Sequence, residues 1–295
     1  MNNPSSEHKY ESDGAQLTYL DSGAGMPVVF LHPTPLDHDY WRPLLDELSG
    51  ALHGTPIRAI VPDLRGHGKS ELGGPLPVGE FARVPDAPVL TMQQMARDIL
   101  VLLDRLDLID AVFVGCSIGG YVMLELWRHA PQRMRGLAFV CSKPQPDAEP
   151  ALIKRAGNIA IARESGVTAL FDGMVQVLVG ESTRVRRPEV VSECRSRMTV
   201  TPETFIAVQA GLASRPDSLP TVVSITQPVL AIAGGEDSAV AAADMEAFGA
   251  APGQCEYHRL HDAGHFAAYE QPQKVARLLA SWLPQFESQS PVPSS

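Results

Sequence analysis

The chain has 295 residues, 44% of them hydrophobic, and a formal net charge of −10. That is enough apolar material for one large domain, and an acidic balance with no long basic block speaks against nucleic acid or a membrane surface as a partner. Four scattered cysteines (116, 141, 194 and 255), a polar start and no membrane-length apolar run lead to the expectation of a reducing, cytoplasmic setting.

In chain order, residues 1–8 are polar and 287–295 lack periodicity, so both are expected to be flexible tails. Residues 16–20 alternate polar and apolar, which predicts a strand belonging to an antiparallel edge at the start. The runs 28–31, 57–61, 111–114, 137–141 and 229–233 are too apolar for a strand with one wet face and predict buried parallel strands. Residues 256–260 predict the last strand, at the opposite edge.

Helical patterns fall between these runs. In 91–106, Thr91 offers an N-cap, and Met92, Met95, Ile99, Leu102, Leu103 and Leu106 form one apolar stripe. Glycine and proline in 71–90 predict a long loop, while about 150–216 holds three or four amphipathic helical patterns with no strong strand. The reading is an α/β fold: a doubly wound, mostly parallel sheet formed by 9–147 and 217–286, interrupted by a helical cap over 148–216.

The chemistry centres on Gly115-Cys116-Ser117-Ile118-Gly119-Gly120, between the run 111–114 and a helical pattern at 121–130. A strand, a tight turn and a helix place a serine at the apex, and glycines two residues to either side relieve the crowding of such a turn. The stretch matches neither a phosphate loop ending in Gly-Lys-Ser/Thr nor a G-x-G-x-x-G fingerprint. Cys116 at the apex would put Val114 and Ile118 where the turn wants glycines, so Ser117 is the candidate nucleophile and Cys116 a buried filler.

A serine hydroxyl needs a base, itself oriented by a carboxylate. Gly234-Gly235-Glu236-Asp237 follows the run 229–233, and His261-Asp262-Ala263-Gly264-His265 follows the run 256–260. His265, preceded by a glycine, is the better base; His261, at a strand end, reads as structural. Asp237 outranks Glu236 by position, and Asp262 lies too near His265 in sequence to approach it well. The histidines lack metal-ligand spacing, so no metal or cofactor is expected.

With these residues in place, the chain resembles the α/β-hydrolase superfamily over nearly its whole length. Further supporting motifs are Leu31-His32-Pro33-Thr34-Pro35 before Trp41, Asp63-Leu64-Arg65-Gly66-His67-Gly68-Lys69-Ser70, and Asp262-Ala263-Gly264-His265 before Glu270-Gln271-Pro272. Within the superfamily it is most similar to small esterases, 3-oxoadipate enol-lactonase-like hydrolases and cofactor-free haloperoxidases. The resemblance implies an eight-stranded sheet, a Ser117-His265-Asp237 triad and an oxyanion hole.

Family members usually have His-Gly where this chain has His32-Pro33. Proline has no amide hydrogen, so the Thr34 N–H is the donor between Pro33 and Pro35, with the Ile118 N–H as the second. His32 and His67 read as structural, and His38 and His53 have no assigned partner.

The function so implied is hydrolysis of a small carboxylic ester or lactone through an acyl-enzyme, by a monomer or homodimer. The alternatives are C–C hydrolysis, perhydrolysis or cofactor-free oxygenation on the same fold, or a ligand-sensing protein with residual hydrolase activity. Phe171, Met174, Val175, Leu178 and Phe205 are expected to shape a pocket or pack the cap, and Lys143, Lys154 or Arg155 to meet a substrate carboxylate.

Overall fold

The computed structural model describes residues 6–52, 54–79, 84 and 86–289. His53 and residues 1–5 and 290–295 of the expected tails lie outside them. Eight strands, β1 (Ser6–Ser12), β2 (Ala15–Gly23), β3 (Met26–Leu31), β4 (Ile57–Pro62), β5 (Ala111–Cys116), β6 (Met134–Val140), β7 (Val229–Gly234) and β8 (Cys255–Leu260), form one sheet in the order β1-β2-β4-β3-β5-β6-β7-β8. The β1–β2 and β2–β4 pairs are antiparallel and the rest parallel.

The helices in order are α1 (Arg42–Ala51), α2 (Met92–Arg105), α3 (Ile118–His129), α4 (Glu149–Ser165), α5 (Thr168–Leu178), α6 (Glu181–Arg186), α7 (Pro188–Ser196), α8 (Pro202–Ala213), α9 (Leu219–Val222), α10 (Ala242–Met245), α11 (Ala267–Glu270) and α12 (Pro272–Trp282). The period of two along the strands divides the apolar side chains between the sheet's two faces. Val28, Phe30, Val112 and Val114 join Leu44 of α1 and Val275 and Leu279 of α12 in one core. Val29, Leu31 and Phe113 join Ile99 and Leu103 of α2 and Val122 and Leu126 of α3 in the other. The sheet is therefore wound on both sides, and the Thr91 hydroxyl caps α2 by accepting from the Gln94 amide.

Two differences from the sequence reading concern the first edge. The strand over 16–20 belongs to the antiparallel edge but is its inner member: β2 lies between β4 and the polar strand β1, which begins inside the segment read as a tail. The first four residues of β1 are exposed, so it lacks an apolar pattern; pairing along β2, including Tyr10 opposite Leu17, holds it. At the other end, a 3-10 segment continues from Leu283 to Gln289.

Of the six helices between β6 and β7, five, α4 to α8, fall within 148–216, where three or four were expected, and they form an insertion; α9 follows before β7. Gly166 at φ +76° ends α4, and Pro188 opens α7 two residues after α6 ends, dividing runs whose apolar periodicity is continuous. Phe171 of α5 and Phe205 of α8 pack edge to face at 5.6 Å and join the same apolar cluster as Val28, Phe30 and Leu44.

Candidate active site

Ser117 sits between β5 and α3 with φ +51° and ψ −114°, a conformation that costs a side-chain-bearing residue energy. The surroundings enforce it. The Ser117 amide donates to Val140 O at 3.0 Å, and the Ser142 hydroxyl donates to Ser117 O at 2.9 Å. A Cβ on Gly115 would come within 2.6 Å of the Gly119 carbonyl carbon, and one on Gly119 within 2.2 Å of Leu31 O. The glycines are required by backbone contact, as the elbow geometry predicts.

Cys116 is fully buried, accepts from the Tyr40 hydroxyl at 3.2 Å, and burial pushes its thiol well above the ordinary range. It is an inert filler beside the apex.

Asp237 and His265 arrive from the far edge of the sheet. Asp237 Oδ1 accepts from the Ala239 and Val240 amides at 2.7 and 2.9 Å, which aims Oδ2 at His265 Nδ1, 2.8 Å away. Both side chains are almost wholly buried. The turns that bring them together pass backbone against backbone: a Cβ on Gly234 would lie 2.2 Å from Gly264 O, and one on Gly235 2.7 Å from His261 Cα. The rejected candidates serve elsewhere, with Glu236 accepting from Ser182 and Asp262 pairing with Lys274 at 2.7 Å.

The loop before α1 faces Ser117 through Thr34. The His67 Nδ1–H donates to Arg65 O at 3.0 Å, so Nε2 accepts from the Thr34 hydroxyl at 2.9 Å. His32 is neutral in the same way: Nδ1–H donates to Pro33 O at 3.0 Å and Nε2 accepts from the Leu64 amide at 2.9 Å. Burial, with the adjacent His67 ring, lowers His32 to about 3. Both histidines are structural, as read from the sequence. His38 gains a partner that was not foreseen, with Nδ1 2.8 Å from Asp63 Oδ1.

Thr34, Ser117 and His265 line one cavity of about 490 Å³, closed above by the insertion. Ile118, next to Ser117, is the first residue of α3, so its amide has no intrahelical acceptor. Leu170, Met174, Val177, Leu178 and Leu212 form an apolar wall. Of the five pocket candidates, Met174 and Leu178 reach the cavity, while Phe171, Val175 and Phe205 are spent on packing.

Lys143, Lys154 and Arg155 also line the cavity, and among the described residues Asp147 is the one carboxylate that lines it with them. Asp147 is shared: Arg155 Nε pairs with its Oδ2, and Arg215 Nη2 lies 2.9 Å from its Oδ1. Although burial opposes it, these two guanidinium groups hold the Asp147 carboxyl below its usual range. Arg215 also stacks 3.7 Å over the Tyr121 ring, one turn of α3 from Ser117. Lys143 is 3.3 Å from Asp244, and Lys154 has no carboxylate in ion-pair range among the described residues.

The shared Asp147, the Thr34–His67 link and the contacts of Glu236 and Glu270 were not foreseen; Glu270 alone had a signal, as part of Glu270-Gln271-Pro272. Among the described residues no group of three or more His, Cys, Asp or Glu is placed to hold a metal, and no helix is long and apolar enough to cross a membrane.

Comparison with known proteins agrees with this architecture. The 3-oxoadipate enol-lactonase 1 of Acinetobacter baylyi is 23% identical over 256 residues, 87% of this chain and 88% of that protein. A putative non-heme bromoperoxidase, BpoC, of Mycobacterium tuberculosis is 26% identical over 88% of this chain and 94% of its own. Among solved structures, a thermophilic esterase from Thermogutta terrifontis, determined with malate bound, superposes with a TM-score of 0.83 at 30% identity, covering 96% of this chain and 99% of the esterase. The enol-lactonase of Burkholderia xenovorans shares the fold, with a TM-score of 0.81 at 23% identity over 94% of this chain and all of that one. Residues 28–278 match the alpha/beta hydrolase family as a whole, and with its doubly wound eight-stranded sheet the chain belongs to that family and is a hydrolase.

Proposed function

We propose that the protein hydrolyses small carboxylic esters or lactones through an acyl-enzyme on Ser117. The observation that carries this reading is the 2.8 Å contact between His265 Nδ1 and Asp237 Oδ2, at the wall of the cavity into which Ser117 opens. With Nδ1 committed to Asp237, Nε2 is the ring nitrogen that accepts the Ser117 proton as Oγ attacks the substrate carbonyl. The Thr34 and Ile118 amides donate to the oxyanion of the tetrahedral intermediate. As it collapses, the imidazolium gives its proton to the leaving alkoxide, and the alcohol departs; for a lactone, the new hydroxyl stays tethered to the acyl group.

Water then repeats the sequence on the acyl-enzyme. His265 takes its proton, hydroxide adds to the carbonyl, and Ser117 Oγ leaves with the proton returned by His265, releasing a carboxylic acid. The apolar wall and the cations favour a modest acyl or alcohol group that is greasy on one side and carries a negative charge or carbonyl on the other.

The test is labelling with a fluorophosphonate, read by intact mass and peptide mapping. One adduct on Ser117, absent in Ser117→Ala, together with esterase activity lost in the same variant, is the expected result. A folded wild-type protein that takes no label would overturn the reading.

A further inference from the structure

The insertion is joined to the histidine loop more directly than packing requires. The His265 amide donates to Leu178 O, the last residue of α5, at 2.8 Å. The preceding amide, of Gly264, and the amide of Gly180 at the start of α6 both point at one carboxylate, that of Glu270. Glu270 Oε2 accepts from Gly180 N–H at 3.0 Å, and both its oxygens lie 3.1 Å from Gly264 N. Burial raises the Glu270 carboxyl above its usual range, and the Thr183 side chain and these amides oppose that shift by favouring the charged form. Between these segments there is no room for a side chain, because a Cβ on Gly180 would lie 2.6 Å from Gly264 N and one on Gly264 2.2 Å from Gly180 N.

Glu270 has no exposed surface. No cation lies within ion-pair distance of its carboxylate among the described residues, and the nearby Arg187 guanidinium donates instead to the Glu270 backbone carbonyl. A buried carboxylate held only by neutral donors is a costly way to fill space. What it does that an apolar or amide side chain cannot is present an acceptor oxygen at both of its terminal positions to two converging backbone amides.

We propose that Glu270 is a positioning residue for His265: its carboxylate ties the histidine loop to the α5–α6 junction, so that the seating of the insertion sets where the imidazole sits. The inference rests on the reading of His265 as the base for Ser117. The imidazole is thereby held from two sides, through its ring by Asp237 and through the backbone that carries it, Leu178 taking the His265 amide and Glu270 the Gly264 amide before it. A displacement on the order of 1 Å at such a group costs about 100-fold in rate without touching the substrate.

The experiment compares wild type with Glu270→Gln and Thr183→Val, each assayed well below its own melting temperature. The concentration of reactive Ser117 is first titrated with the fluorophosphonate. In Glu270→Gln the new amide turns an N–H₂ toward a backbone N–H. The expected result is a 10- to 100-fold fall in kcat per titrated site and in the rate constant of fluorophosphonate labelling, with KM within about 3-fold. Thr183→Val, which leaves both amides bound, is expected to show the same signature at a few-fold and keeps the proposal testable if the first variant does not fold. A lower melting temperature with wild-type turnover and labelling rate per site, in whichever variant folds, would overturn it and leave Glu270 a purely structural residue. Failure of the wild-type protein to label at Ser117 would instead remove the hydrolase mechanism itself, and is read before either variant is made.

Discussion

The Thr34 hydroxyl donates to His67 Nε2 at 2.9 Å, so the one amide available between Pro33 and Pro35 belongs to a residue whose side chain is anchored on the neighbouring loop. This anchoring separates two roles of Thr34. Thr34→Val keeps the amide and loses the anchor, and is expected to lower kcat by at most about 10-fold. Thr34→Pro removes the donor and is expected to lower it by about 100- to 1,000-fold. Steady-state kinetics on one small ester decides; equal losses in the two variants would contradict an oxyanion role for the amide.

His32 predicts an acid-side stability loss of definite sign. Its folded-state value is lowered to about 3 by burial and by the His67 ring, whereas an unfolded histidine titrates near 6.5. Below about pH 6.5 the unfolded chain takes up a proton that the folded one refuses. The contribution is therefore complete above that pH and falls by roughly 1.4 kcal/mol per unit as pH drops toward the folded value. Burial lowers His67 too, which adds a loss of the same sign. His32→Gln is expected to be less stable than wild type at pH 7.5, with the gap narrowing at pH 5. Urea unfolding at both values checks this, and an unchanged gap would count against it.

Ser117 stores backbone strain at φ +51°. Glycine tolerates such a conformation and alanine does not, so Ser117→Gly is expected to be more stable than Ser117→Ala by about 1 kcal/mol. With Ser117 as the proposed nucleophile, both are expected to lose turnover by several orders of magnitude. Thermal melts of the pair give the comparison, and equal melting temperatures would mean that the turn relaxes once the hydroxyl is gone.

Lys154 lines the cavity with no carboxylate in range among the described residues. Lys154→Ala is expected to raise KM several-fold for an ester bearing a free carboxylate, such as a dicarboxylic acid monoester, and to leave a neutral ester of the same length within about 2-fold. Equal KM changes for the two substrates would remove the charge argument for specificity.

What could be read from the sequence follows from how local each constraint is. Ser117 was legible because Gly115 and Gly119 answer a demand made within five residues. Asp237 and His265 were legible because each follows a short strand pattern and the two fall in the order that the elbow motif requires. The polar strand β1 was not, since its evidence is a partner strand rather than its own pattern. The same holds for the Thr34–His67 bond, which spans 33 residues, and for Glu270 on Gly180, which spans 90; neither separation leaves a periodic trace. The division of 148–216 into five helices rather than three or four turned on where turns interrupt continuous amphipathic runs, and apolar spacing does not mark that.

The sheet itself implies an order of failure. Ser117 leaves β5, whose six residues are all buried, whereas His265 follows β8, a margin strand with one buried residue among its six and a neighbour on one side only. Fraying begins at margins, where few contacts oppose local opening. The proton-handling half of the proposed machinery therefore rides on one of the less protected parts of the sheet. Under rising urea, reversible loss of turnover is expected to precede the unfolding of Trp41, buried in the core beside α1.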